Sequence, residues 1–154
     1  MNCAPIIIPT LHRYEKLVKC IESLSKNTWA NQTELFISLD YPPEEKYRPG
    51  YNRIKEYLEG IDDIGFKECN VFFQKENIGA RANIYFLVDE IKKNHDRYIL
   101  TEDDNVFSPC FLDFINKGLD LFEDDDKVFF VCGYSEHTDE ANYEYTIKST
   151  NYFG

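Results

Sequence analysis

The chain has 154 residues, 17 basic and 28 acidic, for a formal charge of −11. That length fits one domain with a real core, and 43% hydrophobic residues point to a globular fold rather than a disordered chain. The acidic balance argues against binding nucleic acid, which takes a basic stripe or patch, and no apolar run nears the ~20 residues that span a bilayer.

Residues 4–9 read as a buried strand, because Ile6, Ile7 and Ile8 are β-branched and leave neither face polar. Thr10 stands where it could cap the next helix, whose Tyr14, Leu17, Val18, Ile21 and Leu24 form one apolar stripe. Residues 34–39 make a second strand, ended by Asp40 and Tyr41-Pro42-Pro43, and a short helix follows with Ile54, Tyr57, Leu58 and Ile61 on one side. Residues 70–74 give a third strand. Gly79 opens a helix with Ile84, Leu87, Val88 and Ile91 inward. Residues 97–101 form a fourth strand running into Glu102-Asp103-Asp104-Asn105. Ser108-Pro109 resembles a cap and first turn for a helix that faces Phe111, Phe114, Ile115 and Phe122 inward. Residues 128–132 are expected to form a fifth buried strand. Strands alternating with helices predict an α/β fold, a mostly parallel sheet with helices on both faces.

The five cysteines are odd in number, widely spaced and without a Cys-x-x-Cys pair. They imply reduced, mostly buried thiols in a cytoplasmic protein rather than a zinc site. Ala4-Pro5-Ile6-Ile7-Ile8-Pro9 is too short and too broken by proline for a secretory signal. His12, His95 and His137 are expected to be exposed. The acidic stretch Glu123–Asp126 follows a helix, hence lies at the amino edge of the sheet, and reads as a solvated loop.

Ligands of open α/β sheets bind beyond the carboxyl ends of the strands. Those ends gather Pro9, Thr10, His12 and Arg13, then Asp40, then Asn77, Gly79, Arg81 and Asn83, then the acidic run, and after the expected fifth strand Gly133-Tyr134-Ser135. Three adjacent carboxylates repel one another and call for a cation. On an extended backbone Glu102 and Asp104 point one way and Asp103 the other. Two or three such oxygens, completed by water and phosphate, suit Mg²⁺ or Mn²⁺. An acidic turn favouring a helix N-terminus accounts for the same run without a metal. Asp40 either accepts a hydrogen bond from a base or ribose or caps its own turn. Arg13 and Arg81 either contact a diphosphate or position an acid, or are surface arginines, and Gly79 allows close backbone approach or a positive φ. No nucleophile elbow or P-loop occurs.

In this order the motifs resemble the GT-A-fold nucleotide-diphosphosugar glycosyltransferases, near the inverting family 2, and the N-acetylglucosaminyltransferases with a Glu-Asp-Asp motif. They are Pro5-Ile6-Ile7-Ile8-Pro9-Thr10 with Arg13, Ser38-Leu39-Asp40, Asn77-Ile78-Gly79-Ala80-Arg81-Ala82-Asn83, Glu102-Asp103-Asp104-Asn105 and Gly133-Tyr134-Ser135. The resemblance implies a Rossmann-like donor-binding domain over residues 1–135, with 136–154 beginning a truncated acceptor-side region. It implies that Pro9 and Thr10 line the nucleotide pocket, Asp40 contacts uracil, Asp103 holds ribose and Asp104 the Mn²⁺ or Mg²⁺ that bridges the diphosphate. Arg13 would reach Glu102, Arg81 would face the base or diphosphate, and Asn77 and Gly79 belong to the same donor site. The acceptor would be a carbohydrate or other hydroxyl, and the catalytic base is expected beyond Gly154, so these residues should bind donor with little or no transfer. The competing readings are a sugar-phosphate nucleotidyltransferase, which wants glycines after the first strand where Pro9-Thr10-Leu11-His12-Arg13 has none, and a non-catalytic α/β interaction module.

Overall fold

A computed structural model describes residues 3–61 and 64–133. Four parallel strands, β1 (Ile6–Thr10), β2 (Glu34–Leu39), β3 (Glu68–Phe73) and β4 (Ile99–Leu100), lie in the order β3-β2-β1-β4. The helices between and after them are α1 (Tyr14–Ser25), α2 (Arg48–Glu59), α3 (Ala80–Ile91) and α4 (Phe111–Leu121). β1 pairs along its whole length with β2, from Ile6 opposite Leu35 to Thr10 opposite Leu39, but meets β4 only at Ile6 and Ile7.

Alternation along the strands feeds two cores. Ile6 and Ile8 of β1, with Leu35, Ile37 and Leu39 of β2, pack under Leu17, Ile21 and Leu24 of α1, Ile54 and Leu58 of α2, and Leu112 and Ile115 of α4. Ile7 and Phe36 point the other way, onto Leu87, Val88 and Ile91 of α3. Each fully buried Ile or Leu contributes about 1.5–3 kcal/mol. Right-handed crossovers explain the partition: β1 to β2 to β3 steps outward with α1 and α2 on one face, and the return to β4 on the far side of β1 places α3 on the other. Strand order therefore reverses at β1. Open α/β sheets place ligands at such a reversal, which here falls at the carboxyl ends of β1 and β4.

Proline in this central strand is tolerated for a local reason. Pro5 and Ile7 turn their carbonyls to β4, accepting from Ile99 and Thr101, so Pro9 faces the same side, beyond the last β4 pairing, where no ladder bond is lost. Gly50 is demanded by close packing. A Cβ there would lie 2.1 Å from the His12 carbonyl oxygen, so α2 can seat against the loop after β1 only without a side chain.

Several expectations are corrected. Thr10 does not cap α1; it is the last residue of β1, and the cap position belongs to Arg13 without a side-chain cap bond. The helix after Ser108-Pro109 starts at Phe111, whose amide donates to the Ser108 carbonyl, so the serine hydroxyl is no cap. Residues 128–132 form no strand. Val131 instead packs against α4, where a Cβ on Gly118 would meet its Cγ1 at 2.8 Å, and Phe129 is 97% exposed. An apolar run alone does not supply ladder partners, and this segment finds a helix rather than a strand edge. Cys3 and Cys20 are buried, but Cys110 and Cys132 are exposed. His95 is largely buried, its Nε2 3.1 Å from Glu34, and the Nδ1 of His12 is buried without a partner among the described residues. Glu123–Asp126 is exposed as expected. Tyr134, Ser135, His137 and the region 136–154 lie outside the described residues.

Candidate functional site

Two side-chain clusters stand next to each other at the carboxyl edge, joined through the Asp40 amide, which donates to the Thr10 carbonyl at 2.9 Å. The first closes the gap between β1 and β4. Thr10 Oγ1 donates to Asp103 Oδ2 at 2.7 Å, across 93 residues of sequence. The guanidinium of Arg13 forks onto two acids: Nη2 donates to Asp103 Oδ1, and Nη1 to Asp104 Oδ2 at 2.8 Å. Asp103 is 2% exposed and has a donor on each oxygen, which is what a buried carboxylate requires. Asp104 stays one-third exposed. Partial burial by itself lowers the pKa of Arg13, but the charge and hydrogen bond of Asp103, with Asp104 and Glu102, raise it above its ordinary value. Below the acids, the buried Cys20 thiol donates to the Glu102 carbonyl at 3.7 Å. Burial first, then the charges of Asp103 and Asp104, push its pKa up to about 12, so it is a neutral packing group.

This geometry differs from the expected alternation. The chain turns at Asp103 and Asp104 instead of running extended, so both acids face Arg13, while Glu102 is exposed and is not its ion-pair partner. No group of three or more His, Cys, Asp or Glu side chains converges as a metal cage among the described residues. The donor chemistry still suits a hard cation that takes few protein ligands: Asp104 offers a half-open carboxylate, and water and phosphate oxygens complete such a shell.

The second cluster surrounds Asp40, which is 4% exposed. Its Oδ1 accepts from the amides of Tyr41 at 2.9 Å and Ile78 at 3.0 Å; its Oδ2 accepts from the Gly79 amide at 2.9 Å and Asn77 Nδ2 at 3.1 Å. Gly79 has φ +81° and ψ 156°, a region open in practice to glycine alone. A Cβ there would meet nothing within 4 Å, so its backbone angle, not close approach, calls for glycine. Arg81 is exposed, its Nε and Nη2 donating to the Tyr85 hydroxyl at 3.3 and 3.2 Å. Pro9 is half-buried beside Thr10.

Sequence reasoning had not singled out Ser38 and Gln74 as a pair with Asn83. Asn83 Nδ2 donates to the Ser38 carbonyl at 3.0 Å, and Gln74 Nε2 to Ser38 Oγ at 3.0 Å. The signal was present in the pattern: Asn83 is 1% exposed and precedes Leu87 and Ile91 at intervals of four, a polar residue on an inward stripe. A cleft of about 360 Å³ opens around Trp29 and one of about 450 Å³ beside Phe72 and Phe86; the second reaches Gln74 and Ile78, but neither includes Thr10, Arg13, Asp103 or Asp104. Their linings carry no convergent acids, so the chemistry, not cleft volume, singles out the carboxyl edge.

The fold is α/β, a four-stranded parallel sheet with helices packed on both of its faces. It is similar to solved structures of S. aureus TarS: one at 12% identity and TM-score 0.55, covering 77% of this chain and 20% of that one. A structure of TarS residues 1–349 matches at 13% identity and TM-score 0.53, over 77% of this chain and 32% of that one. The same TarS segment in complex with UDP matches at 12% and 0.54, over 78% and 33%. The chain thus spans a fifth to a third of the length of these structures. No protein-family model matches the sequence, and no curated protein matches it.

Proposed function

We propose that this chain is the donor-binding part of a glycosyltransferase that moves a sugar from a nucleotide-diphosphosugar, a UDP-sugar, to an acceptor hydroxyl with inversion. The observation that carries the reading is the union of Thr10, Arg13, Asp103 and Asp104 where strand order reverses. It joins a hydroxyl, a cation and two acids from elements about ninety residues apart at one edge of the sheet. The likeness of the fold to a UDP-bound structure agrees with it. In this reading Asp103 receives ribose hydroxyls and Asp104 holds Mn²⁺ or Mg²⁺, with Pro9 and Thr10 lining the pocket and Glu102 at its rim. A divalent cation held there would offset charge on a departing nucleoside diphosphate. Arg13 holds Asp103 through Nη2, and its other arm, on Asp104, is the one that would turn to phosphate were Asp104 to hold a cation. The base that deprotonates the acceptor is none of these residues.

Titration calorimetry with UDP, in the presence and absence of Mn²⁺, tests the reading. Binding that strengthens with Mn²⁺, and an Asp104→Asn variant that folds yet loses the Mn²⁺ effect, are expected. A folded protein that ignores UDP in both conditions refutes it.

A further inference from the structure

At the amino edge of the sheet, where the chain passes from α1 into β2, we infer a second binding site, for a neutral glycan, in the cleft around Trp29. Its volume is about 360 Å³, within the ~300–1,000 Å³ of small-molecule sites. Charged residues make up 29% of the chain, yet none lines this cleft, so a phosphate or a carboxylate would find no counter-charge there. What it offers is one indole among small uncharged polar groups. Trp29 is half-buried and packs on the main core. Thr28, Asn31 and Gln32 are exposed, and their side chains have no hydrogen-bond partner among the described residues. A pyranose ring has an apolar face of C–H bonds and a rim of hydroxyls. An indole face covers the first, and amides, each donor and acceptor at once, meet the second.

The indole is fixed before any ligand arrives. Trp29 has φ +104° and ψ 3°, and it is the one residue other than glycine with positive φ among the described residues. For a bulky side chain that backbone is strained and persists only where its surroundings impose it. They do so from both sides. The Trp29 carbonyl accepts from Thr33 Oγ1 at 2.8 Å and from the Gln32 amide at 3.0 Å. The Thr28 amide donates to the Pro109 carbonyl at 3.2 Å, and Trp29 Nε1 to Asp113 Oδ1 of α4 at 3.0 Å. A platform already held this way loses little freedom on binding. β2 is six residues long, about 20 Å at ~3.3 Å per residue, so the cleft and the acids of the carboxyl edge stand roughly that far apart. The inference holds whether or not that edge takes a nucleotide; with the nucleotide reading, the cleft would anchor the glycan that receives the sugar.

Chemical-shift mapping by NMR tests the site with two neutral probes and no nucleotide: chitotetraose, which carries acetamido groups, and cellotetraose, which does not. At least one should give saturable shifts centred on residues 27–32, Gly65 and the Trp29 indole N–H, with residues 10–13 and 101–105 unmoved. Trp29→Ala should weaken binding about tenfold or more. Asn31→Ala combined with Gln32→Ala should weaken it about three- to tenfold. The thermal midpoint of that double variant should not move, because both side chains are exposed and make no bonds within the described fold. Should Trp29→Ala not fold, the double variant decides by itself. No saturable shift at this cleft with either probe overturns the inference, and so does a folded double variant that binds as tightly as wild type. A protein that binds a probe here and ignores UDP in a separate titration would refute the nucleotide reading and leave the glycan cleft standing.

Discussion

Thr10→Val is the sharpest probe of the first cluster, because it removes one hydroxyl from a buried carboxylate and little else. Valine has the same shape and favours strands, so neither a cavity nor a propensity loss enters. The lost bond, 2.7 Å long, ends on Asp103, which is 2% exposed. A hydrogen bond to a charged group is worth about 1.5–3 kcal/mol, and the stranded Oδ2 has no water to replace it. The expected loss is about 2 kcal/mol, or about 4–8 °C in Tm for a domain of this size. Urea unfolding should show a lower midpoint at constant m-value. In an Asp103→Ala background the same change should cost at least about 1 kcal/mol less, since its partner is gone. A loss below about 0.5 kcal/mol, or an equal loss in both backgrounds, would refute the claim that Thr10 and Asp103 are coupled.

Four other outcomes follow from the same structure. Gly50→Ala should destabilise by about 1–3 kcal/mol despite alanine's ~1 kcal/mol advantage in a helix, because its Cβ would lie 2.1 Å from a backbone oxygen. Gly60→Ala, with its nearest neighbour at 3.9 Å, should be neutral or slightly stabilising; denaturation midpoints of the two compare them directly. The Lys67 hydrogen bond, opposed in part by burial and aided by His95, holds Glu34 below its ordinary value near 4.5. A depressed folded-state value means that its contribution is complete above 4.5 and lost as pH falls through the lowered one, so Glu34→Gln should flatten the acid limb of a stability–pH curve. Arg13→Gln should weaken UDP binding in Mn²⁺ and, with the pair to Asp104 removed, strengthen Mn²⁺ binding without nucleotide, read by electron paramagnetic resonance.

Much of the fold was legible because its elements are locally consistent. β2 spans the expected residues 34–39, and the stripe Leu17, Ile21, Leu24 of α1 and the stripe Leu87, Val88, Ile91 of α3 bury as their spacing implies. The misreadings fall where local pattern admits two partners. Thr10 precedes a helix as a cap would, yet its hydroxyl serves an acid 93 residues away. Residues 128–132 are as apolar as a central strand, and only tertiary contact with α4 decides otherwise. Asp40 was legible as an important carboxylate, but not what it touches, because its four donors include three backbone amides, which have no sequence signature. The pairing of Arg13 with Asp103 and Asp104 instead of Glu102 turns on a bend at Asp103 that alternation cannot reveal.

The most direct measurement places the cation. In an amide NMR spectrum, substoichiometric Mn²⁺ with UDP should broaden resonances from residues 10–13 and 101–105 first. Those lining the 450 Å³ cleft beside Phe72 and Phe86 should stay sharp. Broadening centred on that cleft, or none near Asp104, would contradict the assignment of the carboxyl ends of β1 and β4 as the donor site.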